Sequence, residues 1–312
     1  MNTCGFLEAI SVFGKYYIPR KDGNVEDIAI KSEEEVVLSL QKSRNSSKHC
    51  SNCIIDKKKN GCVFLTKDTL NIYLELKSYV DSFINDVFNP THVISSTIFK
   101  KTANLEELQK LFGLDLFECS KDLILRPATD FGIFTLLENS TIRDCDLPRC
   151  YYERGLCYRL EDAFDGSLVR FYSFELPDIH TVTQSDCYEI VKQHMVSYKQ
   201  FLDKLGITRA VALRITEKEF FSNAECIKDI AATLNEDIFL NVVPASIRYW
   251  ESKFKFVQIN SEGKKVQLST VQVDYNSSKI FNFKGENNKY LTVIHSSPGS
   301  LQRLLCCLNI YR

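Results

Sequence analysis

The chain has 312 residues, 44% apolar and 25% charged, with a formal net charge of −1. That is an ordinary globular composition, large enough for one big domain or two smaller ones. It excludes a broad basic field of the kind that draws polynucleotides, though not a local basic patch. No early apolar run is long enough for a signal peptide or a membrane span, so no membrane association is expected and the cytoplasm is the expected location.

Residues 1–60 carry the least pattern and read as an N-terminal extension, with 61–312 as the main domain. Lys31 to Arg44 is mostly charged and polar around Val36, Val37 and Leu38. Cys50 and Cys53 have chelating spacing, but a tetrahedral zinc needs four ligands, and only His49 or Cys62 could complete the set locally. The pair reads as two thiols. The twelve cysteines are scattered, largely in apolar contexts such as Cys306-Cys307, and are expected as thiols of a reducing compartment.

From Gly61 the pattern sharpens into a turn and a short strand. Asp68 or Thr69 can cap a helix in which Leu76, Tyr79, Val80, Phe83, Ile84 and Val87 recur at steps of three and four. It ends at Asn89-Pro90, because proline disfavours helix in the residue before it. Asn104 to Leu111 reads as a short helix with an Asn cap and Gly113 as its stop. Leu123-Ile124-Leu125 then leads into Arg126-Pro127-Ala128-Thr129-Asp130.

Pro148 to His180 is the most informative stretch. Arg159 and Glu161 follow a first apolar-aromatic run and, as strand residues two apart, share a face. A turn follows at Asp165-Gly166-Ser167. The second run, Leu168 to Phe174, contains Arg170, and the stretch closes on Asp178 and His180. This is an antiparallel hairpin. The charges alone fit a solvated, salt-bridged face as well as a ligand site.

Ser185 to Leu205 is an amphipathic helix with Val191, Met195, Tyr198, Leu202 and Leu205 on one face, and Gly206 ends it. His194 within it reads as a packed or solvated histidine. A strand at Ala210–Leu213 and a helix opened by Ser222 with Glu225 follow. Strands are expected around 253–257, 266–275 and 291–295, then a helix from Pro298 to about Leu308. Long strands with few crossover helices argue for an α+β fold, an antiparallel sheet flanked by helices.

The hairpin resembles motif 2 of the class II aminoacyl-tRNA synthetases, most closely the threonyl enzymes. The resemblance spans about residues 60–310. It implies that Arg159 grips the α-phosphate of ATP, that Glu161 and Arg170 lie in the nucleotide site, and that Phe174 stacks on adenine. The helix ending at Asn89-Pro90 is similar to motif 1, which implies a homodimer. The segment Gly299-Ser300-Leu301-Gln302-Arg303 is similar to motif 3, with Arg303 on the γ-phosphate. Anions suit helix N-termini, and an arginine fork fits phosphate oxygens.

The resemblance further implies a zinc ion held by one cysteine and two histidines, which grips the amino group and side-chain hydroxyl of threonine. The matching positions are Asp130, His180 and His295, with a carboxylate in place of the thiolate. The alternative is two core histidines and a turn aspartate. Two imidazoles and a carboxylate are a competent zinc set, and the harder oxygen ligand also suits iron or manganese. Asp178 matches the carboxylate that receives the substrate amino group. Lys253 and Gln272 match amino-acid-binding positions, and Gln267 and Thr270 match ATP-binding ones. Strand parity puts Gln267 on the opposite face from Thr270 and Gln272, so a bulge is needed to bring them together. Lys253 lacks the Gly-Pro that precedes the family's lysine.

The implied reaction is amino-acid activation with ATP and magnesium, followed by transfer to a carrier protein, a small amine or a tRNA. Full-length threonyl enzymes carry editing and anticodon-binding domains, and neither has a counterpart in these 312 residues. A stand-alone activating enzyme is therefore expected. The alternative is a non-catalytic paralogue acting as a regulatory or binding module.

Overall fold

The computed structural model describes in full residue 65 and residues 69–113, 116–160, 171–258 and 266–308. It describes the backbone alone of residues 67, 68, 259 and 265, and of the strands Lys15–Pro19, Val25–Asp27, Lys57–Lys59 and Cys62–Phe64. The expectations for Cys50, Cys53, Glu161 and Arg170 lie outside the described residues, as does the side chain of Cys62.

The chain divides into two compact units. One takes 52–187 and 274–306, and the other takes 1–51, 188–273 and 307–312. The fold is mixed, with antiparallel pairing dominant and helices packed on it.

The unit built on 52–187 and 274–306 holds the hairpin. Its strands are Arg149–Tyr158 and Ser173–Thr183, paired from Arg149↔Val182 to Tyr158↔Ser173. The hairpin expectation holds, with the first strand in the expected run and the second displaced toward the C-terminus. The second begins at Ser173, so Asp178 and His180 sit in mid-strand and not at its close. Thr292–Ser297 flanks one side antiparallel, and Thr91–His92 the other side parallel.

The helix Lys67–Phe88 buries Tyr73, Leu76, Val80 and Ile84 at three- and four-residue steps. Its polar edge is tied to the hairpin. Tyr73 and Lys77 both bond Glu175, and Arg154 pairs with Asp81 at 3.0 Å. Tyr152 Oη donates to Asp81 at 2.6 Å. The helix Ala103–Phe112 is capped by Thr102, whose Oγ1 accepts from Leu105 N, and not by Asn104. The β-branched threonine holds the extended conformation that an N-cap needs. Gly113 ends this helix at φ 60°, as its sequence position implies.

The other unit contains six strands in the order Val25–Asp27, Lys15–Pro19, Ile238–Val243, Ala210–Thr216, Ser252–Ile259, Lys265–Asp274. One pair is parallel. Ala210–Thr216 and Ile238–Val243 are joined by the helix Glu217–Leu234, a crossover absent from the sequence-based picture. That helix starts at Glu217, capped by Thr216, five residues before the expected Ser222. Its backbone breaks at Asn223, beside the capping-box pattern that suggested a later start. The helix Cys187–Lys204 buries Val191, Met195, Tyr198 and Leu202, as its periodicity predicts. His194 is buried with them, and burial pushes its imidazole down to about 3, so it is neutral.

The strand Lys265–Asp274 carries one extra residue. Thr270 opposes Lys255, whereas Gln267 opposes Val257. Between these pairs Phe256 alone stands opposite both Leu268 and Ser269, which is a β-bulge. Every described cysteine is a free thiol. Among the described residues, no helix is long and apolar enough to cross a membrane.

Candidate active site

His180 and His295 are directly opposed across the antiparallel ladder of Ser173–Thr183 and Thr292–Ser297. Opposed residues share a sheet face, and the ring centroids are 5.0 Å apart. Asp130, first residue of the helix Asp130–Leu137, closes the triangle. Its Oδ1 lies 2.7 Å from His295 Nδ1 and 3.3 Å from His180 Nε2. One ligand atom from each residue falls within 4.8 Å of the others, and all three side chains are buried. Phe134 packs its ring edge-on against both imidazoles.

Two features make the set a good cation holder. His180 Nδ1 is buried with no hydrogen-bond partner, and Asp130 Oδ1 meets the two imidazoles as an ion pair, so the set has coordinating capacity left to fill. Asp274 Oδ2 also accepts from His295 Nε2 at 2.8 Å. A carboxylate behind a histidine fixes the tautomer and leaves the other nitrogen to face a metal. Burial alone would raise the Asp130 carboxyl, but His180 and His295 beside it hold it well below the carboxylate range. Burial alone would lower His295, but Asp130 and Asp274 outweigh it and raise the imidazole to about 10. A cation entering here displaces a proton.

Asp178 is two residues from His180 on the same face. Its Oδ2 accepts from Thr129 Oγ1 at 2.9 Å, and burial pushes its carboxyl up to about 6. The segment Arg126–Asp130 is pinned by a buried ion pair. Arg126 Nη1 lies 2.7 Å from Glu153 Oε1 and donates to Ser95 Oγ at 2.7 Å, while Nε donates to Leu156 O.

Arg159 follows the first hairpin strand, and its backbone N donates to Tyr172 O. Its guanidinium carbon lies 5.0 Å from the Phe174 ring centroid, and its Nε donates to Pro127 O at 3.0 Å. Arg303 lies in the helix Leu301–Cys307. Residues adjacent to Phe174 and Arg303 are bonded to one another: Glu175 N donates to Gln302 Oε1 at 3.1 Å. The strand of Phe174 and the helix of Arg303 are thus clamped together.

The helix itself is shorter than expected. It begins at Leu301 and not Pro298, because Gly299 adopts φ 113° just before it. A seven-residue helix carries no weight as an anion site, so the case for Arg303 rests on its side chain.

In the other unit, the bulge settles the parity of the polar positions. Lys253, Lys255 and Val257 alternate along one strand, and their partners are Gln272, Thr270 and Gln267. All six therefore share one face. Tyr249 Oη donates to Gln272 Oε1 at 3.1 Å.

Sequence reading missed Asp274, Thr129 and Gln302. Each acts through a partner 21 to 127 positions away, and no local pattern marks such pairs.

A family model described as the tRNA synthetase class II core domain (G, H, P, S and T) matches residues 116–310. The threonine–tRNA ligase of Methanopyrus kandleri is 31% identical over 204 residues, 61% of this chain and 32% of that protein. The threonine–tRNA ligase of Methanococcus aeolicus is 33% identical over 204 residues, with the same two coverages. The chain thus spans about a third of the length of the curated relatives it matches.

Among solved structures, the RNA binding domain of threonyl-tRNA synthetase from Cryptosporidium parvum Iowa II superposes with a TM-score of 0.67 at 18% identity. That match covers 81% of this chain and 68% of that one. The cytoplasmic serine-tRNA ligase of Naegleria fowleri gives 0.62 at 16%, covering 79% and 50%. These two likenesses speak to the fold. With a match over 195 consecutive positions that takes in both opposed histidines, the hairpin and the closing helix, the chain belongs to the class II tRNA synthetase core family.

Proposed function

We propose that the chain activates an amino acid with ATP. A carboxylate oxygen attacks the α-phosphorus, the bond to the β-phosphate oxygen breaks, and the products are an aminoacyl adenylate and pyrophosphate. Anion repels anion in this step, so catalysis consists of positioning and charge neutralisation. In this reading Arg159 neutralises the α-phosphate, Arg303 the γ-phosphate, and Phe174 stacks on adenine, with magnesium on the phosphate oxygens. Glu161, Arg170, Gln267 and Thr270 complete the nucleotide contacts by resemblance, and Gln272 and Lys253 those to the amino acid.

Asp130, His180 and His295 would hold zinc, which supplies a Lewis acid for the amino and hydroxyl groups of threonine or a similar β-hydroxy or β-amino acid. Asp178, held by Thr129, receives the substrate ammonium. The acyl group then passes to a tRNA, the acceptor named for the relatives, or to a carrier protein or small amine. The resemblance of the Lys67–Phe88 helix to motif 1 further suggests a homodimer, in the cytoplasm. The observation that carries the reading is the buried Asp130–His180–His295 triangle, backed by Asp274.

ATP–pyrophosphate exchange, screened over all amino acids, is the test. Threonine-dependent exchange is expected, and Arg159→Ala should lose about 3 kcal/mol of transition-state stabilisation, roughly a hundredfold or more in rate. Absence of exchange with every amino acid would leave a binding module.

A further inference from the structure

The ladder between Ser173–Thr183 and Thr292–Ser297 runs to the pair Ile179 and Ser296. Continued by two residues, that register would set Pro177 against Pro298, and neither proline has an N–H to donate. The ladder therefore stops beside Asp178 and just past His295. A side chain takes over. Ser297 Oγ donates to Pro177 O at 2.6 Å and accepts from Gly299 N at 3.1 Å. Ser297 is 5% exposed, so bulk water cannot stand in for either bond once the hydroxyl is lost.

One hydroxyl thus joins three segments with proposed roles. Pro177 precedes Asp178, Ser297 ends the strand of His295, and Gly299 lies in the turn into the helix Leu301–Cys307, which carries Arg303. The three are not equally fixed. The strand Ser173–Thr183 is laddered on both sides, and Thr129 holds Asp178. The turn depends on Gly299 at φ 113°, and glycine has the widest choice of other conformations. Removing the hydroxyl therefore loosens the turn and leaves Asp178 in place. The next residue passes the effect on, because Ser300 Oγ accepts from Arg303 N at 3.4 Å.

We propose that Ser297 is a positioning residue for the γ-phosphate end of ATP. Its hydroxyl sets the Gly299 turn, and the turn sets the direction from which Arg303 reaches the phosphate. Ser297 acts through Arg303 and not on the substrate. The proposal rests on the reading of Arg303 given above.

Calorimetric titration of the full chain with ATP and with ADP, both with magnesium, reads the contribution of the γ-phosphate. The ratio of the two affinities is taken within each variant, so a partly unfolded sample leaves it unchanged. The wild-type chain should prefer ATP. Ser297→Ala should lose about five- to tenfold of that preference, roughly what one buried hydrogen bond supplies. Its affinity for ADP and its KM for the amino acid should stay as in wild type. Ser297→Thr, which keeps a hydroxyl, should retain the preference. In an Arg303→Ala background, Ser297→Ala should change nothing further, as expected of two residues that act as one unit.

A wild-type preference in Ser297→Ala overturns the proposal. So does a loss shared equally by ATP and ADP, or an equal loss in Ser297→Thr, since either makes the residue a packing element only. Further loss in the Arg303→Ala background overturns the route through Arg303. A wild-type chain that binds both nucleotides alike removes Arg303 from the γ-phosphate, and the proposal falls with it. Preference for ATP without ATP–pyrophosphate exchange would end the activation reading and leave Ser297 standing.

Discussion

Gly155 lies in the first hairpin strand where the buried Arg126 side chain crosses it. A Cβ added there would stand 2.0 Å from Arg126 Nη2 and 2.8 Å from its Cζ. No rotamer of a fully buried, three-way-bonded arginine absorbs that. Gly155→Ala should therefore cost about 1–3 kcal/mol in urea unfolding, and because Arg126 sets the segment that delivers Asp130, it should weaken metal retention as well. An alanine variant of wild-type stability would show that Arg126 does not hold this position. The metal triangle has its own test. Elemental analysis of the purified chain should find zinc, and His180→Ala should lose most of it; identical metal content in the two would remove the site. Asp274→Asn, which leaves all three ligands in place, should lower zinc affinity about 10- to 100-fold, as loss of a supporting carboxylate does elsewhere.

Between elements, Glu175 is the joint. Its carboxylate receives Tyr73 and Lys77 from the helix Lys67–Phe88 and lies 3.8 Å from Arg154, while its backbone N is bonded to Gln302. The residue before it is Phe174, and the residue after Gln302 is Arg303. Gln302→Leu should accordingly raise the KM for ATP with little change in melting temperature, and an unchanged KM would separate the clamp from the nucleotide site. Burial opposes ionisation of Glu175, but Lys77 and Tyr73 outweigh it and hold the carboxyl below its ordinary 4.5. A carboxyl with a depressed folded-state value contributes stability above its unfolded value and loses it as pH falls through the folded one. Stability should thus fall on acidification below about pH 4.5, and the fall should be shallower in Glu175→Gln; equal slopes would mean the joint is not where the protons go.

At the scale of the molecule, Ile94 stands 97% exposed just after the strand Thr91–His92, with Leu74 and Val87 of the preceding helix about half exposed. Large apolar side chains in open water near one helix suit a self-complementary contact between copies. If the proposed homodimer uses this face, Ile94→Asp should shift it to monomer in sedimentation while leaving secondary structure intact. A wild-type chain that sediments as a monomer at micromolar concentration would remove the dimer.

The sequence by itself determined the kind of elements and the family they belong to. Three- and four-residue spacing marked the helices Lys67–Phe88 and Cys187–Lys204, because burial of one face leaves a local imprint on the chain, and two strand-like runs around Asp165-Gly166-Ser167 marked the hairpin. Resemblance to the threonyl enzymes grouped Asp130, His180 and His295 as one set, although their separation along the chain says nothing of distance. Tertiary structure decided the rest. Ladder register placed the two histidines opposite one another, and the bulge brought Gln267 to the face of Thr270 and Gln272. Long-range hydrogen bonds chose Asp274 and Thr129 as supporting groups. Element ends moved for the same reason: the helix start at Glu217 and the late start at Leu301 depend on Thr216 and on a left-handed Gly299. Local pattern records which face of an element is buried, and only packing between distant segments fixes which atoms meet there.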